Sequence, residues 1–184
     1  MNDIGEARSL ARDFLAEELP RRWSHVQGVA AQAERVAADL GLDCRLLVSA
    51  AWLHDVGYGP RLASNGFHAL DGARYLRSSG WADNVCELVA HHTSARVEAH
   101  RRGLGEMLCT EFQDRPGPER DALWAADATT GPDGERLTLD ERVAEVLDRY
   151  GADQLVAQCM QQIHPDLAAA VQCTRARTGR TVSR

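Results

Sequence analysis

The stretch that most constrains this chain is Leu46-Leu47-Val48-Ser49-Ala50-Ala51-Trp52-Leu53-His54-Asp55-Val56-Gly57. It is an apolar run that closes on two adjacent side chains able to ligate a metal, and then on a glycine. The C-terminal end of a helix carries the negative pole of the macrodipole and favours cations. An aspartate placed there calls for a compensating positive charge. A divalent cation would supply it, provided other segments bring further ligands.

The other segments are also helical in pattern. Ile4 to Leu19 puts Leu10, Phe14 and Leu15 on one face and stops at Pro20. Arg21 to Leu40 carries Val29, Ala33, Val36 and Leu40 on its apolar stripe, with His25 extending that stripe and Gly41 as a stop. Asp43 is a good N-cap for the helix of the opening stretch. Tyr58 to Gly66 holds Gly59-Pro60 and Asn65-Gly66 and reads as a loop. Helices are expected over Ala69 to Ser79, Ala82 to Thr93, a short piece around Leu104 to Phe112, and Glu119 to Ala128, with Ser94 to Gly105 a polar, basic stretch. A capping box, Thr138-Leu139-Asp140-Glu141, opens a helix to Tyr150. Ala152 to Ile163 and Pro165 to Ala176 read as two last helices, followed by a frayed polar tail from Arg177. No strand alternation and no linker stands out. The expectation is an all-α, single-domain bundle over residues 1–184, with its motifs in about 21–133 and C-terminal helices in 138–176.

Composition narrows the function. A chain of 184 residues suits one sizeable core, and only 5% aromatics beside abundant Ala, Leu, Val, Arg and Glu favours helices over strands. A net charge of -6 argues against a nucleic acid polymer as partner, because such binding relies on basic surface. A small phosphorylated molecule stays compatible, since a bound metal supplies positive charge locally. The five cysteines, Cys44, Cys86, Cys109, Cys159 and Cys173, are scattered and odd in number, which suits reduced thiols in the cytoplasm. The polar N-terminus is no signal peptide, and no apolar run is long enough for a membrane. Oligomeric state is not legible.

Three expected helices each place a metal-capable residue on an inward face. They are His25, His54 and Asp127, the last following Leu123 at i+4 and Trp124 at i+3. Taken singly, His25 and His54 read more often as hydrogen-bonded core residues than as ligands, and the alternative for each of the three is a local hydrogen bond to a backbone group. A buried carboxylate costs several kcal/mol unless paired or metal-bound. Taken together in a bundle the three converge. Mixed His and carboxylate donors without a thiolate suit Fe, Mn, Co, Ni, Zn or Mg. His68 and one of His91 or His92 would complete a second site, with Asp55 bridging two ions. Periodicity puts His92 on the stripe of Val85, Leu88 and Val89, while His91 lies at i+3 from Leu88.

The order His25, His54-Asp55 and Asp127 resembles the HD-domain superfamily of metal-dependent phosphohydrolases, and Leu53-His54-Asp55-Val56-Gly57 looks like its core motif. The resemblance covers roughly Arg21 to Asp133. His68 and His91 resemble the extra ligands of two-metal members, whose order is His, His-Asp, His, His, Asp. Leu88 three places before His91 fits that pattern, so the resemblance implies His91 as ligand and His92 as a substrate-facing residue. Tyr58 stands where many members carry Lys. The implied fold is an all-α HD-type helical bundle. The implied activity is hydrolysis of a small, nucleotide-like phosphoester by metal-activated water, with Asp55 and His54 as catalytic residues and one or two divalent ions as cofactor. Arg61, Arg96, His92 and His100 flank the ligand-bearing segments and are candidate phosphate contacts. Two other activities fit the same ligands. One is a di-iron oxygenase acting on a small alcohol or phosphonate. The other is a non-catalytic sensor of a nucleotide or partner.

Overall fold

Local chemistry sets most helix ends in the computed structural model, which describes residues 3–181. α1 (Ile4–Leu15) opens on a capping box between Asp3 and Glu6. α2 (Pro20–Leu40) has Pro at its first position and ends on Gly41, whose φ of 64° is the left-handed conformation a glycine adopts without strain. α3 (Cys44–Leu53) is capped by Asp43, which accepts from the Leu46 N–H at 3.0 Å. Then come α4 (His68–Ser78), α5 (Asp83–Ala90), α6 (Ala95–Arg101), α7 (Gly105–Glu111) and α8 (Pro118–Ala128). α9 (Leu139–Tyr150) opens on the Thr138/Glu141 capping box, and α10 (Leu155–Thr181) closes the chain. Among the described residues the only strand-like pairing is an isolated bridge between Thr130 and Arg136. The fold is all-α, as the patterns imply.

Five details differ from the sequence reading. α3 stops at Leu53, so His54 is its C-cap and Asp55 sits beyond it at φ −104°, ψ 6°. α5 likewise stops at Ala90, leaving His91 and His92 in the exit. The polar stretch after Ser94 contains α6. The two expected C-terminal helices are one, because α10 runs straight through Pro165. Pro165 removes one helical hydrogen bond. Ile163 and Leu167 on either side of it are both buried in one cluster with Trp124, Ala128 and Val146, which holds the two halves in line. The helix also continues through Thr181, past the Arg177 where fraying was expected; residues 182–184 lie outside the described residues.

Packing brings the ligand-bearing elements together. α2 lies against both α3 and α8, and α3 also meets α1, α5 and α8. His25 is thus on α2, His54 at the exit of α3 and Asp127 on α8, within one layer. α4 packs on α5 and on the 3-10 turn Val56–Tyr58 that follows Asp55. α10 braces the assembly by touching α2, α6, α8 and α9. Among the described residues no helix is long and apolar enough to cross a membrane.

One contact decides where α4 sits. A Cβ on Gly57 would lie 2.0 Å from the His68 carbonyl oxygen and 2.7 Å from the Gly72 N–H nitrogen. The turn after Asp55 and the first turns of α4 therefore meet backbone to backbone, and His68 is carried in beside Asp55. Gly57→Ala must push these backbones apart. It is expected to lower stability by about 2 kcal/mol or more, as overpacking does, measured as a shift of the denaturant midpoint at unchanged slope.

Candidate metal centre

Six side chains from five segments meet in two adjoining buried groups: His25, His54 and Asp127 in one, Asp55, His68 and His92 in the other. Within each group the donor atoms lie within 4.8 Å of one another, close enough for one cation to reach all three. In the first, His25 Nε2 lies 3.0 Å and His54 Nε2 3.9 Å from Asp127 Oδ1. In the second, Asp55 Oδ1 lies 3.6 Å from His68 Nε2 and 3.7 Å from His92 Nε2. The other oxygen of Asp55, Oδ2, faces the first group, 3.4 Å from His54 Nε2 and 3.9 Å from His25 Nε2. One carboxylate thus addresses both groups, as the bridging role requires.

The backbone sets which ring nitrogen points inward. His54 Nδ1 donates to the Ala51 carbonyl at 2.8 Å, and His92 Nδ1 donates to the Val89 carbonyl at 2.6 Å. Both bonds reach three residues back, which is possible because each histidine sits at a helix exit. His25 Nδ1 donates to the Gly131 carbonyl at 3.1 Å, in the loop after α8. With Nδ1 carrying one proton, each Nε2 is turned toward the centre, where it can give a lone pair to a cation once it carries no proton of its own.

Those lone pairs do not satisfy one another. His54 Nε2 is buried without a hydrogen-bond partner. His68 Nε2 and His92 Nε2 face each other at 3.1 Å. His25 Nε2 faces a carboxylate oxygen. Acceptors turned toward acceptors in a buried volume are costly until a cation or proton stands between them. A divalent metal fits this donor set.

The charged surroundings point the same way. Burial alone would lower the His54 pKa, but the charge of the Asp55 carboxylate 3.4 Å from Nε2, with help from Asp127, raises it to about 9. Burial lowers His68 well below its ordinary value, reinforced by His92; burial and then His54 lower His92. Burial would raise Asp127, yet the His25 hydrogen bond and the charges of His54 and His25 hold it below the usual carboxylate range.

Three further residues support the six; sequence reading passes over Arg22 and Thr93 and names Tyr58 only as a departure from the family's Lys. The Arg22 guanidinium donates to Asp55 Oδ2 at 2.8 Å and lies 4.1 Å over the Tyr58 ring. Tyr58 stacks on His68 at 3.9 Å. Arg22 stands one turn before His25 on the same face of α2, so the periodicity that singles out His25 also carries Arg22. It provides a cation near the site although Tyr58 replaces the Lys of many relatives. Thr93 donates its hydroxyl to Asp127 Oδ2. Its φ of 42° is unusual for a β-branched residue, a backbone strain of the kind stored at functional sites. No periodic signal marks it.

Other expected site residues lie elsewhere. His91 is buried, but its Nε2 donates to the Phe112 carbonyl at 2.8 Å and its own carbonyl accepts from Trp124 Nε1 at 2.9 Å. It is outside both groups, and the place that the resemblance gave to His91 is taken by His92. The physical reason is the early end of α5, which turns His92 and not His91 toward Asp55. Arg61 is exposed, donates to the Asp13 carbonyl and covers the Phe14 ring. Arg96 and His100 are exposed on α6. Arg96 lines a different cavity, with Arg120 and Trp124. None of these three is among the residues that the structure brings together.

The family model of the HD domain matches residues 22–153. The chain belongs to the HD-domain family. This is a family of metal-dependent phosphohydrolases. The matched span of the HD domain extends through α9, further than the motifs alone mark. Ribonuclease Y of Opitutus terrae is 31% identical over 117 residues, 59% of this chain and 22% of its own length. Ribonuclease Y of Rubrobacter xylanophilus is 30% identical over 135 residues, 73% of this chain and 24% of its own. The tRNA (cytidine(56)-2'-O)-methyltransferase of Picrophilus torridus is 36% identical over 84 residues, 44% of this chain and 24% of its own. The chain therefore spans less than a quarter of the length of these relatives. No solved structure matches it.

The geometry of this HD domain separates the two histidines by experiment. His92→Ala is expected to cut bound metal to about half the wild-type stoichiometry, whereas His91→Ala keeps full stoichiometry and loses stability; elemental analysis beside thermal melts reads both. Metal uptake near pH 7 is expected to release protons, since His54, held up to about 9, must be neutral to ligate. Affinity should therefore tighten as pH rises toward that value, measured by calorimetry in buffers of different ionisation enthalpy.

Proposed function

We propose that this HD domain hydrolyses a phosphoester of a small, nucleotide-like molecule with the help of one or two divalent ions. The observation that carries the reading is the set of inward lone pairs around a carboxylate whose two oxygens face two adjoining groups of donors. His25, His54, Asp55 and Asp127 would hold one ion, and Asp55, His68 and His92 a second. When bound, such an ion supplies a water of lowered pKa and Lewis acidity toward a phosphoryl oxygen.

The protein's own residues prepare the rest. Asp55 stays ionised: burial would raise its pKa, but Arg22 and then His54 hold it well down. Arg22 fixes one of its oxygens, leaving the carboxylate oriented between the two groups. Asp127 is fixed by His25 and Thr93 on its two oxygens. The depth of the centre limits bulk water, which strengthens every charge interaction there. The net reaction adds water across the P–O bond: hydroxyl to phosphorus, proton to the departing alkoxide.

The net charge of -6 and the buried position of the centre support a small substrate over a polymer. RNA is the second reading, and it is favoured by the relatives named Ribonuclease Y. A screen of phosphorylated metabolites and short oligoribonucleotides, with and without chelator, decides between them. Phosphate release that needs metal and consumes no oxygen is the expected result. Oxygen consumption by iron-loaded protein in place of phosphate release would favour the oxygenase. Asp55→Asn and His54→Ala are each expected to lower kcat/KM by about two orders of magnitude or more. Unchanged turnover in both would leave a sensor.

A further inference from the structure

Beside the metal centre lies a cavity of about 290 Å³ lined by Arg21, Arg22 and His25 of α2 and by Arg142 and Arg149 of α9, with Pro132 and the α1–α2 turn completing it. Arg142 and Arg149 are seven residues apart, two turns on one face of α9, so both reach the same side. Of the six metal-capable residues, only His25 lines this cavity. Arg22 joins the two spaces, since it lines the cavity and donates to Asp55.

The guanidiniums are not fully matched. Arg21 pairs with Asp133 at 3.1 Å. Arg142 and Arg149 share a single carboxylate, Glu145, the latter at 3.2 Å. Glu18 is the one acid lining the wall. Once Asp55 is engaged by a cation, four guanidiniums line the wall beside a single acid, Glu18, while Asp133, Glu135 and Glu145 act on them from outside the lining. Arg142 is only 7% exposed, and its Nε is buried without a partner. A guanidinium held on a cavity wall with hydrogen-bonding capacity unspent is suited to an anion.

We infer that this arginine cavity holds a second, non-scissile phosphate of a small nucleotide whose scissile phosphate lies at the metal centre. The assignment rests on the phosphohydrolase reading above. The second phosphate is non-scissile because Arg21, Arg142 and Arg149 make no hydrogen bond or ion pair with the six metal-capable residues, and of the residues around the centre only His25 and Arg22 line the cavity. The protein then selects molecules bearing two phosphates over those bearing one.

The test uses the protein as purified with its metal. Adenosine 5′-monophosphate and adenosine 3′,5′-bisphosphate are compared as substrates and, by calorimetry, as ligands, for wild type, Arg149→Ala and Arg149→Lys. Arg142→Lys is a second variant that keeps the buried charge if truncation there unfolds the chain; circular dichroism reports folding. The expected result is a preference of about tenfold for the bisphosphate, one charge-assisted contact. Arg149→Ala should erase that preference through KM, and Arg149→Lys should restore part of it. No preference in wild type, or one that survives Arg149→Ala, overturns the cavity's role while leaving hydrolysis standing. Bisphosphate binding that weakens tenfold in Arg149→Ala, in a protein that hydrolyses neither compound, keeps the anion site and overturns the hydrolase reading. A clear preference for a 5′-phosphorylated oligoribonucleotide over the bisphosphate overturns the assignment to a small nucleotide.

Discussion

The structure depends on one unresolved opposition: several imidazole lone pairs and two carboxylates are turned toward each other in a buried space. The Nδ1 protons of His25, His54 and His92 are spent on backbone carbonyls, so none of these three can reverse its ring without orphaning a buried acceptor. Asp55 and Asp127 are pinned in turn, by Arg22 and by His25 and Thr93. The protein turns these groups toward the place that a cation would take, and their hydrogen-bond partners hold them there. Much of what surrounds the centre serves that constraint, from the glycine contact that admits α4 to the strained backbone at Thr93.

How much of this is legible in the sequence follows from where each signal lives. Helical periodicity identified the inward faces of α2, α3 and α8, and with them His25, His54 and Asp127. It also put His92 on the inner stripe. The family resemblance favoured His91, and geometry set it aside because α5 ends one turn sooner than its apolar pattern. Helix ends are where periodicity is weakest, and both His54-Asp55 and His91-His92 sit at ends. Arg61, Arg96 and His100 were selected by nearness in sequence to the ligand segments. Nearness along the chain says little about direction in space, and their side chains leave for other surfaces.

Other features had no local signal. The union of the last two helices across Pro165 depends on a buried cluster formed with α8 and α9, information that a single-segment reading of a proline cannot contain. The pairing of Arg142 and Arg149 with the α2 arginines joins residues more than a hundred positions apart. Arg22 was within reach of periodicity, yet a charged residue on an apolar stripe is ordinarily taken for the edge of that stripe.

The spread of the donors along the chain has a consequence for how the protein lives and is lost. Two of the ring-orienting bonds are local, but the centre itself closes across the separation of His25 from Asp127, 102 residues. No fragment of the chain owns the set. A cation that requires all of it binds the assembled domain and ignores the unfolded chain, so its binding energy is added to the folding equilibrium. In a metal-poor environment only the proton on His54 and the Arg22 guanidinium offset the two carboxylates, and the fold loses the share of its stability that the cation adds.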